Sequence, residues 1–333
     1  MRAGAGTAEL QSRSILDLAE CFHLANVLET LEQLGIFESL ENEISVETLA
    51  RRHRVDRALL ESALRFLSLR TELVVRRAGK FRVARNVGSN DRFIFHQYLG
   101  AYGKNGAEFA SLLRHPALAP RLIDRRRHAL AFMQIDSTSA NFVADLVLQL
   151  DFNNMLDLGC GTGALLANIA LRKGEFVGWG LDMNPWMCAA ARKRIAAAGA
   201  ARRVRIFSGD CRRIADAIPA RIRQRVNTVC AASLANEFFT KGRKEAVEWL
   251  SGLRKILPER TLLLADYYGG RHSQNSAGRP EIALHDFVQA ASGQGVPPPN
   301  LAGWKKIYNA AGCKLVYVLR IERTPYFMHL LRL

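Results

Sequence analysis

The densest chemistry in this chain lies in nine residues, Met155-Leu156-Asp157-Leu158-Gly159-Cys160-Gly161-Thr162-Gly163. An apolar run of strand character ends in three glycines at alternate positions, and the helix-forming segment Ala164 to Leu171 follows. Glycines in a strand-to-helix turn admit a tight bend and let a ligand approach the backbone closely. The spacing is GxGxG and not the GxGxxG of dinucleotide folds. Amides at the start of a helix favour an anion by themselves. Asp157, two residues before the first glycine, adds a carboxylate, so the combination suits a zwitterion that also carries an ammonium group.

Two further apolar runs end in acids. Val177 to Asp182 closes nineteen residues after Gly163, the distance at which the second strand of a doubly wound sheet delivers a carboxylate to ribose hydroxyls. Met183 follows directly. Val204 to Ser208 leads into Gly209-Asp210-Cys211, which can bring Asp210 to an adenine amino group. A different constellation follows the run Thr228–Ala232: Asn236 and Glu237. Asn cannot act as a base at neutral pH. Glu237 could, if burial raises its pKa. Alternatively the nucleophile needs no base, or both residues only position a substrate and the rate comes from alignment. A fourth reading makes Glu237 an acid facing a helix dipole. His285-Asp286 stands in a late helical segment, Ile282–Val288. Tyr98, Tyr102, Phe132, Met133, Tyr267 and Trp304 could line a substrate pocket, and aromatics in such places equally well fill a core. Arg125 to Arg127 could attract an anionic substrate or form a solvated face.

The elements that must position these residues alternate between strand and helix from Asn154 onward, the pattern of a parallel α/β sheet. Seven strands are predicted, at Met155–Leu158, Val177–Asp182, Val204–Ser208, Thr228–Ala232, Thr261–Asp266, Lys314–Arg320 and Tyr326–Leu331, the last two as an antiparallel pair. Ahead of them, Ile15 to Leu34 and Arg57 to Leu69 carry apolar residues at helical spacing. Between these helices Ser45 can cap the segment that follows, with Thr48 where a capping-box Glu would stand. Leu73 to Val83 reads as a hairpin about Ala78-Gly79. Helix, helix, hairpin is a winged-helix order. It serves either to read DNA through its second helix or to dimerise, and the bulky apolar residues of the second helix favour dimerisation. The expected domains are 1–88, a helical connector and lid at 89–150, and 151–333.

With the three acid-terminated motifs in this order and at this spacing, residues 126 to 333 resemble the class I methyltransferases. With the winged-helix front end, the whole chain is similar to the dimeric small-molecule enzymes of that superfamily: caffeate and acetylserotonin O-methyltransferases, bacterial antibiotic O-methyltransferases and α-keto-acid C-methyltransferases. The resemblance implies a seven-stranded Rossmann-like sheet and a homodimer whose N-terminal domain helps close the partner's pocket. It implies S-adenosylmethionine as donor and S-adenosylhomocysteine as product, over Gly159, Gly161 and Gly163, with Asp157, Asp182, Met183, Gly209, Asp210 and Cys211 around it. The acceptor would be a small molecule of specialised metabolism, methylated at oxygen, sulfur or carbon. The O-methyltransferases carry a His-Asp pair where this chain has Asn236-Glu237, and their His removes the substrate proton. In the C-methyltransferases a His at the place of His285 shares a metal with a second His, again at the place of Asn236. The expected catalytic set is therefore Glu237, Asn236 and His285, without a metal.

Composition narrows the alternatives. The 333 residues suit two domains, and 49% hydrophobic with 23% charged residues is a globular balance. No run reaches the length of a transmembrane helix. The small, polar segment Met1 to Gln11 lacks the apolar core of a signal peptide, so a cytoplasmic protein is expected. Six scattered cysteines without a CxxC pair point to free thiols. The net charge of +16 is spread along the chain. It fits an anionic substrate or nucleic acid, and keeps one rival in view, a winged-helix DNA-binding regulator with a metabolite-sensing Rossmann-like domain. RNA base methylation is disfavoured, because no NPPY/F-type tetrapeptide follows the fourth strand.

Overall fold

The computed structural model describes residues 14–84, 88–269, 280–320 and 326–333; the expectation drawn from Met1 to Gln11 lies outside the described residues. The chain divides into two compact units between Phe95 and His96.

In the first unit the helix Ile15–Gln33 opens with a capping box. The Ser14 hydroxyl accepts from the Asp17 N–H at 3.1 Å, and the Asp17 carboxylate accepts from the Ser14 N–H at 2.9 Å. Ser45 caps Val46–His53 by accepting from the Thr48 N–H at 3.3 Å. Asp56 caps Arg57–Arg70 in the same way through Leu59 at 2.7 Å. The hairpin forms as read, with β2 (Val74–Arg77) and β3 (Lys80–Val83) joined through Ala78 and Gly79, both at positive φ, the requirement of a tight hairpin turn. A two-residue strand, β1 (Ile44–Ser45), pairs antiparallel with β3. Leu40, Leu49, Leu64, Leu67, Val74 and Phe81 fill the core.

All three arginines of Arg57–Arg70 pair with acids: Arg57 with Glu47 at 2.8 Å, Arg65 with Glu61 at 3.0 Å, and Arg70 with Glu20. Exposed pairs of this kind add little stability, yet they neutralise the charge that reading a DNA backbone would need. Among the exposed apolar residues, Ile15, Leu18 and Phe22 form a stripe along the first helix, and Leu59 and Leu69 stand out of Arg57–Arg70.

The second unit is built on a seven-stranded sheet in the order β6-β5-β4-β7-β8-β10-β9. The strands are β4 (Asn154–Leu158), β5 (Val177–Asp182), β6 (Val204–Ser208), β7 (Thr228–Ala232), β8 (Thr261–Tyr267), β9 (Lys314–Arg320) and β10 (Tyr326–Arg332). The first five run parallel; β10 inserts antiparallel between β8 and β9. Strands covered on both faces read as apolar runs, which is why their limits were visible in the sequence. The two faces bury separate cores. One holds Phe238, Trp249, Trp304, Tyr308 and Phe327; the other holds Leu166, Ile169, Phe176 and Cys230. The helix Arg125–Gln149 packs on Ala164–Arg172, so the end of the expected connector belongs to this unit.

Trp304 was a candidate for the pocket wall. It is instead wholly buried, with its ring centroid 5.3 Å from Phe327, 5.4 Å from Phe239 and 5.8 Å from Tyr308. Its helix, Leu301–Ala311, turns this position onto the core. Trp304→Ala is expected to cost about 3–5 kcal/mol and lower the melting temperature by roughly 10 °C. A near-normal melting curve combined with a raised substrate KM would return Trp304 to the pocket.

Candidate active site

The glycine loop leaves β4 with all three glycines left-handed, at φ 64° for Gly159, 53° for Gly161 and 73° for Gly163. A β-carbon on Gly163 would sit 3.0 Å from the Ala191 Cβ and 3.1 Å from its Cα, a crowded contact on top of the strain of the left-handed backbone. A β-carbon on Gly161 would point into open space, with the Met187 sulfur nearest at 4.0 Å. The loop is thus closed on its helix side and open at its centre. Asp182, at the end of β5, fixes this shape. Its Oδ2 accepts from the Gly161 N–H at 2.9 Å and its Oδ1 from the Asn184 N–H at 2.7 Å. Asn184 then caps Pro185–Ala197 through the Trp186 N–H at 3.0 Å and donates to the Arg125 carbonyl at 2.9 Å. Burial pushes the Asp182 carboxyl up from the ordinary range, while the Asn184 and Gly161 amides and the Arg125 charge pull it back.

Asp157 is buried within β4 and pushed up to about 7, first by burial and also by the Asp182 charge, against the pull of a hydrogen bond from the Cys230 thiol. Met183 is half exposed beside Asp182. Asp210 accepts from the Arg212 N–H at 2.8 Å and pairs with that side chain at 3.6 Å. The Gly209 N–H donates to the Asp182 carbonyl at 3.0 Å, tying the third motif to the second. Burial pushes the Cys211 thiol up to about 12, leaving it protonated and unreactive.

Beyond β7, Ser233 takes a left-handed φ of 52° and the chain turns through the 3₁₀ segment Ala235–Phe238. Asp266, in β8, holds this turn: its carboxylate accepts from the Asn236 N–H at 3.0 Å and the Tyr267 N–H at 2.8 Å. Burial pushes it up to about 7. The Asn236 Oδ1 is buried without a hydrogen-bond partner among the described residues. Glu237 takes a different direction. It accepts from the Gln294 amide at 3.2 Å and lies in the field of Arg125, Arg212, Asp182 and Asp210; burial raises its pKa. His285 stands with a second group. Its Nδ1 shares a 3.0 Å hydrogen bond with the Tyr98 hydroxyl, and its ring lies edge-on to Tyr267 at 4.8 Å. Burial lowers His285 to about 4 and raises Tyr98 to about 12, so both are neutral near pH 7.

The expected catalytic residues thus have different hydrogen-bond partners, Gln294 for Glu237 and Tyr98 for His285, and the Glu237 charge also acts on Tyr102. Tyr102 is buried against the edge of His128, and Phe132 lies tilted against the same ring at 4.9 Å, so His128 joins the two. Met133 is half exposed on its helix. The residues that sequence reasoning passed over are Arg212, Gln294 and Asp266. Asp266 carried a readable signal, since it too is an acid at a strand end. Gln294 carried none. No group of three or more His, Cys, Asp or Glu among the described residues could hold a metal ion.

Asp157 offers a direct test of this electrostatic picture. Its folded pKa lies above the ordinary value of 3.8, so the stability it contributes is complete below pH 4 and is lost as pH rises through about 7. The loss is of order 4 kcal/mol. Urea unfolding followed by tryptophan fluorescence reads it, because all four tryptophans lie in this unit. From pH 5 to pH 8 the cofactor-free protein is expected to lose stability, and Asp157→Asn to lose a few kcal/mol less. Equal losses in the two proteins would contradict the buried, protonated Asp157.

Comparison with known proteins agrees with this geometry. Residues 155–254 match the family model described as a methyltransferase domain. No curated protein sequence matches the chain. Among solved structures, the mitomycin 7-O-methyltransferase MmcR superposes with a TM-score of 0.73 at 16% identity, covering 99% of each chain. RosA from Streptomyces davawensis, an N,N-8-amino-8-demethyl-D-riboflavin dimethyltransferase, gives 0.63 at 18%, covering 98% of this chain and 99% of its own. CalO1, a methyltransferase of calicheamicin biosynthesis in its SAH-bound form, gives 0.60 at 18%, covering 98% of each. At such identities these likenesses establish the fold. Residues 155–254 are thus similar to a methyltransferase domain, and the seven-stranded sheet that contains them has the fold of the solved methyltransferases.

Proposed function

We propose that this protein methylates a small molecule of specialised metabolism from S-adenosylmethionine, and does so without a strong general base. The observation that carries the reading is the glycine loop held by Asp182, with the open side of Gly161 facing outward beside the carboxyls of Asp157 and Asp182. These residues fit the donor. Asp157 and the loop amides would take its ammonium and carboxylate, Asp182 would still have lone pairs for ribose hydroxyls, and Met183, Gly209, Asp210 and Cys211 would flank its adenine. When bound, S-adenosylmethionine supplies a methyl group activated by a sulfonium. The fold's other members bear on the acceptor only by likeness: MmcR acts at oxygen, and RosA is a dimethyltransferase of an amino-riboflavin.

The chain's own residues would bind and align the acceptor. The unpaired Asn236 Oδ1 accepts a hydrogen bond and orients the nucleophile's lone pair, and neutral His285, backed by Tyr98, provides a second polar contact. Glu237 lies among charges that belong to the donor side and serves there in positioning. Tyr102, Phe132, Met133 and Tyr267 line the acceptor side. In calorimetry, wild type is expected to bind S-adenosylmethionine and S-adenosylhomocysteine in the micromolar range, and Asp182→Ala to weaken both at least tenfold. Asn236→Leu should retain that affinity yet lose most S-adenosylhomocysteine release on a panel of hydroxyl, thioether and keto-acid acceptors. Unchanged affinity in Asp182→Ala would sink the donor assignment, and full turnover in Asn236→Leu the acceptor one.

The apolar stripe Ile15, Leu18, Phe22 supports a homodimer formed through the first unit. Light scattering is expected to give the dimer mass for wild type and the monomer mass for Phe22→Glu. A monomeric wild type would refute it.

A further inference from the structure

The parallel strands have a second functional-looking end. At the amino ends of β5 and β6, opposite the glycine loop, a groove of about 390 Å³ is lined by Arg202, Arg203, Arg205, Arg221 and Arg225 over the buried Trp179. Its volume is within the range of small-molecule sites, about 300–1,000 Å³. β6 is the edge of the sheet, and Arg205 lies in register with Trp179 of β5, so its side chain rises on the same face. The short helix Ala220–Arg225 brings the other two arginines across.

Two of the five are held in place. Arg203 donates to the carbonyls of Lys173 at 3.1 Å, Phe176 at 3.2 Å and Ala170 at 3.0 Å. Arg225 lies over the Trp179 ring at 5.7 Å. Arg202, Arg205 and Arg221 make no side-chain hydrogen bond among the described residues, and none of the five pairs with a carboxylate there. This contrasts with the helix Arg57–Arg70 of the first unit, where every arginine has an acid. Five guanidinium groups lining one groove repel one another, and the contacts of Arg203 and Arg225 account for the placement of only two of them. An anion of several charges removes that repulsion, and the planar guanidinium fork matches phosphate oxygens in bidentate fashion.

We propose that this groove binds a ligand carrying several phosphates, at a site separate from methyl transfer. Such phosphates come from a nucleic-acid strand or from a free polyphosphate, and two probes separate the sources: a fluorescein-labelled twelve-nucleotide single strand followed by anisotropy, and inorganic tripolyphosphate followed by calorimetry, each at low and moderate salt. The triple variant Arg202→Gln, Arg221→Gln, Arg225→Gln leaves the carbonyl-bound Arg203 alone. The control Arg51→Gln, Arg52→Gln, Arg77→Gln removes the same formal charge from exposed positions of the first unit. The groove variant is expected to weaken at least one probe tenfold or more with its melting temperature and S-adenosylhomocysteine affinity unchanged, while the control changes either probe less than twofold. Loss for the oligonucleotide alone assigns a nucleic-acid strand; loss for tripolyphosphate alone, or for both probes, assigns the polyphosphate group itself. Absence of saturable binding to wild type, or equal weakening in groove and control variants, overturns the proposal.

Discussion

The burial of carboxyl groups at the carboxyl ends of neighbouring strands is the constraint on which the second unit depends. Asp157, Asp182 and Asp266 lie on β4, β5 and β8, with only β7 intervening. An ion taken out of water costs several kcal/mol unless its lone pairs are met, so the turns at the ends of its own strand and the neighbouring strands must bring N–H groups to each acid. Asp182 recruits Gly161 and Asn184, and Asp266 recruits Asn236 and Tyr267. The left-handed glycines, the strained Ser233 and the 3₁₀ turn after β7 all serve that end. Asp157 receives only a thiol and answers by holding its proton to about pH 7. A cationic group brought beside it would reverse that shift. The loop shape and the ligand preference therefore share one electrostatic cause.

The same turn explains why Asn236 and Glu237, adjacent in sequence, face different company. A 3₁₀ segment advances about 120° per residue, so neighbouring side chains cannot share a direction. Asn236 is fastened by its backbone to Asp266, whose neighbour Tyr267 meets His285. Glu237 points to Gln294 and the arginines. On the proposed reading, a donor side and an acceptor side arise from two consecutive residues because the turn is tight.

What was legible in the sequence follows from this physics. β5 and β7 ended where their apolar runs ended, since parallel strands covered on both faces leave little room for polar residues. The three motif acids were legible because each closes a strand. The partners of Glu237, Asn236 and His285 were not, because linear proximity carries no information about direction on a 3₁₀ turn. Trp304 misled because a tryptophan after a proline-rich loop looks the same whether its helix turns it to a pocket or to the core. Gln294 reaches Glu237 from a loop 57 residues away, with no local pattern to announce it. Charge was equally ambiguous: the arginines of Arg57–Arg70 and those of the groove look alike in sequence, and only the structure separates the paired from the unpaired.

On the proposed reading, the absence of a strong base restricts the chemistry more than any pocket contact does. His285, at about 4, is too weak to hold a phenol's proton, whose ordinary pKa is about 10. An amide in place of an imidazole at residue 236 can accept a hydrogen bond but cannot carry the proton away. The acceptor must then bring its own reactivity: a thioether or amine lone pair, a carbon made acidic by a neighbouring carbonyl, or a hydroxyl acidic enough to ionise in water. For such acceptors the remaining barrier is one of approach and alignment, and positioning alone can supply several kcal/mol, up to about 7–11 in well-oriented systems. Rigid placement of Asn236 by Asp266 is the kind of feature that alignment requires. The costly burial of Asp266 is thus spent on geometry, where a chain with an imidazole base would spend it on proton transfer.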